Sequence, residues 1–348
     1  PGQTPLVWAG RSGSVALVEL LLDRGADPTA ADRHGRTALE AFVVARRDDP
    51  RRAAILGRLS TSLSAKAVAA ATDVALRLGD ALAVEVLSTS GDASMLVTLG
   101  DAGVDAPAAV DALIAKGADP NGSNARGERP LTAAAARGKI GVLSRLLHAG
   151  AEPDARGVGG QTALHRAARG GHAPSVEALL AAGAGLETLD DEGLTPLLAA
   201  LAGRQEVIAH RLLDAGANAR AETTKAIVNL ATNTILVALG DMDPWCFERA
   251  LFRRIDATLV RRLLEGGAPL GPVRYGLTPL HVAAGNPCGQ EAVTVLVAHG
   301  ADPDGADDRG ETPRAIAARS TEAGMRTVFG SAPTPRQAER ARGSGPSS

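Results

Sequence analysis

The sequence predicts an all-α fold, a solenoid of stacked helix-turn-helix units with short finger loops between them. Two recurring phrases indicate this fold. A Gly-Ala pair returns along the chain, and the three steps from Gly117 to Gly216 are each 33 residues long, a period typical of stacked-repeat proteins. A tetrad, a four-residue phrase that begins with Thr-Pro-Leu or a similar sequence, precedes these pairs by about the length of one helical hairpin. The pairs begin at Gly25, Gly117, Gly150, Gly183, Gly216, Gly267 and Gly300.

The tetrad marks the start of the first helix in each unit. Its threonine is a favourable N-cap, proline suits the first turn because no N–H is needed there, and leucine points inward. Alanine pairs such as Ala167 and Ala168 lack bulk, so that neighbouring helices can approach closely. The tetrads begin at Thr4, Thr37, Arg129, Thr162, Thr195, Thr278 and Thr312.

The second helix of each unit carries paired leucines, as at Leu146 and Leu147. The glycine of the Gly-Ala pair is expected to adopt the left-handed conformation just beyond this helix. One such unit is too thin to bury its apolar face, so neighbouring units must cover it. Aromatic residues make up only 2% of the chain, which agrees with thin layers of small side chains.

Two copies show the pattern best, residues 160–168 (Gly-Gln-Thr-Ala-Leu-His-Arg-Ala-Ala) and residues 276–284 (Gly-Leu-Thr-Pro-Leu-His-Val-Ala-Ala). In these phrases the chain resembles the ankyrin repeat family, over about ten repeats of which several are degenerate. We therefore expect one solenoid domain over residues 1–330 and a disordered tail over residues 331–348, which are rich in Pro, Arg, Gly and Ser.

The resemblance implies a non-catalytic scaffold that binds a protein partner through a concave face of finger tips and first helices. The family's variable positions carry over to a set of side chains that is mainly basic in its first half and more acidic later. This pattern fits either a polarised groove or ordinary solvation of exposed fingers. The set comprises Arg11, Arg33, His34, Arg36, Arg126, Glu128, Arg137, Gln161, Arg169, Asp191, Glu192, Arg274, Tyr275, Asp308, Arg309 and Glu311.

Two degenerate repeats and one short step interrupt the period in the first third of the chain. Counting from Gly25, the next markers fall at Gly57–Arg58 and at Gly91, so two degenerate repeats fill residues 36–91. The step from Gly91 to Gly117 is 26 residues, seven fewer than the period. We assign the loss to the finger loop, with both helices intact and the first of them near Leu96.

The step from Gly216 to Gly267 is 51 residues, 18 more than the period. We assign the excess to a finger insertion of about residues 221–243, with a helix over residues 221–239. Trp245 and two phenylalanines follow it. They either pack the insertion onto the stack or are exposed as a partner-binding hot spot. An insertion of this kind suits an alternative function, a regulatory or toxin-antagonist module that blocks a partner's site.

Composition argues against several other classes of function. The net charge is −2, with 37 basic and 39 acidic residues, so no bulk field favours nucleic acid. The longest apolar run, residues 226–239, is too short for membrane insertion. Two cysteines cannot build a disulfide framework, which favours a cytoplasmic location. We also expect a monomer. Because Pro1 stands directly before a tetrad, we expect a truncated N-terminus, and the chain could be the binding arm of a larger enzyme.

No catalytic, cofactor or metal site emerges from the sequence. His165 and His281 occupy the tetrad, where the resemblance implies hydrogen bonds to neighbouring backbone groups rather than catalysis. Cys288 follows His281 by seven residues, but no Asn or Asp stands where it would orient the pair for nucleophilic attack. Neither cysteine has a second ligand at the spacing of a zinc site. We expect a protein that is not an enzyme and that has no cofactor.

Overall fold

The computed structural model describes residues 4–45, 48–219, 256–271, 276–286, 289–320, 324–325 and 328–329. Over these residues the chain forms eighteen α-helices and no strand, which confirms the predicted all-α fold. The chain divides into two compact units, Pro1–Asp191 and Glu192–Ser348.

The first unit contains six pairs of helices. Their bounds are α1 (Pro5–Ser12), α2 (Val15–Asp23), α3 (Ala38–Ala45), α4 (Arg52–Thr61), α5 (Ala65–Leu78), α6 (Ala81–Leu87), α7 (Ala93–Asp101), α8 (Pro107–Ala115), α9 (Pro130–Ala136), α10 (Ile140–His148), α11 (Ala163–Gly170) and α12 (Ala173–Ala181). The odd-numbered helices pack on one another in one layer, and the even-numbered helices form a second layer. The core lies between the two layers.

The second unit repeats this arrangement. Its described helices are α13 (Pro196–Ala202), α14 (Glu206–Asp214), α15 (Ala257–Glu265), α16 (Pro279–Gly285), α17 (Gln290–Ala298) and α18 (Pro313–Ala318). Helix α14 contacts α15, α15 contacts α17, and α16 packs on both α17 and α18.

Threonine caps begin several of the first helices, as predicted. The Val7 N–H donates to Thr4 Oγ1 at 3.2 Å, and Pro5 occupies the first helical position. The same bond recurs at Thr195, which receives the Leu198 N–H at 3.3 Å. These caps satisfy main-chain donors that have no partner inside the helix.

The seven predicted glycines adopt the left-handed conformation beyond the second helices. Their φ angles lie between 80° and 96°, a region that only glycine enters without strain. The following alanine N–H then reaches back into the helix, as from Ala118 to the Leu113 carbonyl at 3.0 Å. The prediction for this position is therefore confirmed in every regular copy.

Two markers in the degenerate repeats do not have the predicted role. Gly57 lies inside α4 rather than after it, and Gly91 is absent from the glycines with positive φ. A Cβ atom at Gly91 would lie 2.3 Å from the Ala118 nitrogen. This glycine therefore allows the next helix pair to approach closely and does not end a helix.

The first unit lacks a finger loop at two successive junctions. Only residues 62–64 connect α4 to α5, and only residues 88–92 connect α6 to α7. The second gap and the intact α7 and α8 were predicted, and Leu96 lies in α7. The first gap was not predicted. The long α3–α4 connection and the 14 residues of α5 make up for the missing finger, so the spacing between repeat markers stays near 33 residues.

No helix among the described residues is long and apolar enough to cross a membrane. The predicted insertion at residues 221–243, its aromatic neighbours and the tail at residues 331–348 lie outside the described residues. They stay predictions.

Candidate functional site

The finger tips are fixed by short polar side chains that the sequence reasoning overlooked. Asp32 Oδ1 accepts the N–H groups of His34 at 2.8 Å and of Arg36 at 3.0 Å. Asn124 Oδ1 accepts those of Arg126 and Glu128 at 2.9 and 3.0 Å. Asp307 repeats the arrangement in the second unit. The available signal was an Asp or Asn three residues before the finger glycine.

A cleft opens beside the first finger, between α1, α3 and α5. Its volume is about 370 Å³. The apolar part of its wall includes Val44, whose side chain is 61% exposed and so available to a partner. The lining residues are Val7, Arg11, Asp32, Arg36, Glu40, Ala41, Val44 and Val74.

The charges in this cleft are only partly compensated inside the chain. Arg36 pairs with Asp32 at 3.0 Å. Burial opposes ionisation of Asp32, but the N–H groups of Arg36 and His34 and the Arg36 guanidinium together lower its pKa. Burial raises the pKa of Glu40, and the Arg36 charge opposes that shift only in part. Arg11 is exposed and forms no ion pair with any described residue.

Several other predicted contact residues are engaged in bonds within the chain. Glu128 is mostly buried and pairs with Arg166 at 3.4 Å, so it joins one finger to the next first helix. The remaining pairs in the first unit are Arg33 with His34 at 3.1 Å, Arg137 with Asp101 at 3.6 Å, Gln161 with Asp190 at 3.3 Å and Asp191 with Arg156 at 2.9 Å; in the second unit, Glu311 pairs with Arg319 at 2.7 Å.

The other predicted residues are exposed or lie outside the described residues. Arg126 and Arg169 point a free guanidinium to solvent as far as the described residues show. Glu192, Asp308 and Arg309 are exposed in the second unit. Trp245, Arg274 and Tyr275 are outside the described residues, so their place in a binding face stays a prediction.

The tetrad histidine has a structural role, as predicted. The Thr278 N–H donates to His281 Nδ1 at 3.1 Å, so this ring nitrogen carries no proton. The proton is then on Nε2, which donates to the Glu311 carbonyl at 3.1 Å. A buried imidazole thus caps its own helix and holds the next finger.

Among the described residues, no three His, Cys, Asp or Glu side chains come together as a metal site would require. Cys288 is not among these residues. The described fingers stand beside the first helices, and this arrangement defines a helical repeat protein.

Comparison with protein families identifies the repeat. The model for ankyrin repeats in three copies matches residues 101–190 and 138–223, and the single ankyrin repeat model matches residues 1–33 and 275–308. Together these matches cover more than half of the chain. The chain therefore belongs to the ankyrin repeat family, whose stacks are protein–protein interaction modules and generally non-catalytic.

Solved structures support the same fold. The chain is similar to the ankyrin repeat domain of Bcl-3, described as a unique member of the IkappaB protein family, with 24% sequence identity and a TM-score of 0.50. The similarity covers 74% of this chain and 96% of that domain. At this identity the likeness is one of fold. A comparison with curated protein sequences finds no match.

Proposed function

We propose that this chain is a non-catalytic scaffold whose protein partner binds the concave face of fingers and first helices, centred on the cleft between α1, α3 and α5. One observation carries the proposal. The cleft joins an exposed apolar side chain, Val44, to an exposed guanidinium, Arg11, that has no ion pair among the described residues.

These two features define the chemistry of the partner. An aliphatic or aromatic side chain inserted beside Val44, Ala41 and Val74 would leave water, which is worth about 1.5–3 kcal/mol for a large side chain. A carboxylate next to it would pair with Arg11. We therefore expect a partner surface in which an apolar side chain stands beside Asp or Glu.

The preformed fingers support this role. Asp32 holds the first finger through two main-chain bonds and also holds Arg36. Because the finger is ordered before binding, little conformational entropy is lost when a partner docks. Arg36 is a less direct probe than Arg11, since reversing its charge would also disturb the finger.

The test compares two charge reversals. Arg11→Glu should weaken capture of the partner about tenfold, because an attractive charge becomes repulsive at a partly desolvated contact. Arg24→Glu, at an exposed position at the end of α2, makes the same change outside the cleft and should retain capture. Quantitative mass spectrometry after affinity capture with each variant measures the difference. Equal loss, or no loss, in the two variants would remove the cleft from the proposal.

Glu40→Gln should act in the opposite direction. Glu40 repels a partner carboxylate when it is ionised, and its raised pKa means that burial already disfavours that form. The variant should bind more tightly at pH 7, and it should lack the gain in affinity that we expect of the wild type on mild acidification. Weaker binding by Glu40→Gln would contradict an acidic partner.

A further inference from the structure

A groove lies at the other end of the helix pairs, where first helices turn into second helices. Residues 48–51 and 102–106 belong to long connections, and the connection between α5 and α6, residues 79–80, is short. The short turn is the floor and the long turns supply the walls. A Cβ atom at Gly79 would lie 2.5 Å from Ala106 Cβ, so the floor and one wall are in close contact. The groove has a volume of about 670 Å³.

The floor of this groove contains a buried ion pair with one unused donor. Arg52 and Asp80 are 5% and 4% exposed, and both terminal guanidinium nitrogens of Arg52 donate to the Asp80 carboxylate. Arg52 Nε is buried and has no hydrogen-bond partner among the described residues. A buried donor without a partner costs about 1–3 kcal/mol.

The walls combine acidic and apolar side chains. Asp48 carries a carboxylate with no ion pair among the described residues, and Asp105 uses its carboxylate on two main-chain N–H groups without a cationic partner. Leu82 and Val104 are 36% and 42% exposed at the same groove. Among the described lining residues, Asp80 neutralises Arg52 and Asp49 pairs with Arg51, so the carboxylates of Asp48 and Asp105 give the open part of the groove a negative charge.

We propose that this groove is a second binding surface and that it receives a basic, apolar segment of a protein, with Lys or Arg beside an aliphatic residue. The cation meets Asp48 and Asp105, and the aliphatic side chain covers Leu82 and Val104. The groove shares no residue with the cleft that contains Arg11, so the proposal stands independently of the function proposed for that cleft.

A matched pair of variants of the full chain tests the groove. The probe is a fluorescein-labelled, acetylated hexapeptide of alternating leucine and arginine, with binding followed by fluorescence anisotropy. Val104→Arg places a cation inside the groove, and Val158→Arg adds the same charge at a position of equal exposure, 43% against 42%. We expect binding to fall about tenfold or more in Val104→Arg and to keep the wild-type value within about twofold in Val158→Arg.

Four further measurements decide the result. Asp48→Asn should weaken probe binding about threefold, and Asp308→Asn, an exposed aspartate in the second unit, should not change it. Arg11→Glu should also leave it unchanged. A hexapeptide of alternating leucine and glutamine should bind much more weakly. Equal weakening in Val104→Arg and Val158→Arg, or equal binding of the neutral peptide, would overturn the proposal.

Discussion

Single side chains shape the binding face by accepting main-chain hydrogen bonds in the fingers. Asp32 and Asn124 occupy equivalent finger tips and make the same two bonds, although one carries a charge and the other does not. The charge of Asp32 therefore has a separate task. It holds the Arg36 guanidinium at 3.0 Å and fixes the direction of a cation at the edge of the cleft.

The comparison with Asn124 gives a prediction at Asp32. Asp32→Asn should keep the amides of His34 and Arg36 protected from hydrogen exchange and should free Arg36, so that an acidic partner binds more tightly and with a steeper salt dependence. Asp32→Ala should lose the protection at both amides. Exchange measured by NMR separates the two variants. Loss of protection in Asp32→Asn would mean that the charge itself holds the turn.

At the same scale, the sequence indicated only part of the candidate site. Arg11 and Arg36 were predicted, because they occupy variable positions of a recognisable repeat. Glu40, Val44 and Val74 were not, since the cleft is built from three helices that are far apart in sequence. A single repeat gives no measure of how widely one first helix stands from the next.

Neighbouring elements cap one another in this stack. Helix α10 has Lys139 at its N-cap position, where the side chain makes no capping bond. The amides of Gly141 and Val142 instead donate to the carboxylate of Asp105, which belongs to the preceding helix pair, at 2.7 and 2.8 Å. A negative charge at this end is also favoured by the helix dipole. Asp105 thus connects two adjacent helix pairs of the first unit through main-chain groups.

Asp105→Ala should lower the free energy of unfolding by about 1–2 kcal/mol, because α10 loses its cap. Asp111→Ala is the matched control. Asp111 also reaches α10, but through an exposed pair with Arg145 at 3.4 Å, and such pairs are worth about 0–1 kcal/mol. Denaturant unfolding gives both values. Equal effects would show that the carboxylate acts through surface charge and not as a cap.

At the scale of elements, the regular helices were predictable because threonine caps, alanine pairs and end glycines each have one conformational consequence. The degenerate repeats were less so. Gly57 imitates an end glycine by position, but α4 continues through it to Thr61. The lost finger before α5 is hidden by extra residues between α3 and α4 and in α5 itself. Counting residues cannot separate compensating changes of this kind.

Across the first unit, each helix pair contacts mainly the pairs beside it. The stability of such a stack is a sum of contributions from single helix pairs and from the interfaces between them. Destabilising one helix pair therefore need not unfold distant ones. The buried Arg52–Asp80 pair joins α4 to the start of α6, where Asp80 also accepts the Ala83 N–H at 3.2 Å. This ion pair is therefore a suitable site for testing whether destabilisation stays local.

Arg52→Ala would leave the Asp80 carboxylate buried without its partner, at a cost of about 3–5 kcal/mol. We expect hydrogen exchange to rise over α3–α6 and to stay near the wild-type value over α9–α12, which share no direct contact with the lost pair. The double variant Arg52→Leu with Asp80→Asn removes both charges and should recover part of the protection in α3–α6. Exchange with mass spectrometry resolves the two regions. A uniform rise over both would show that the unit unfolds as a single cooperative body, because the interfaces between helix pairs would then be stronger than the pairs themselves.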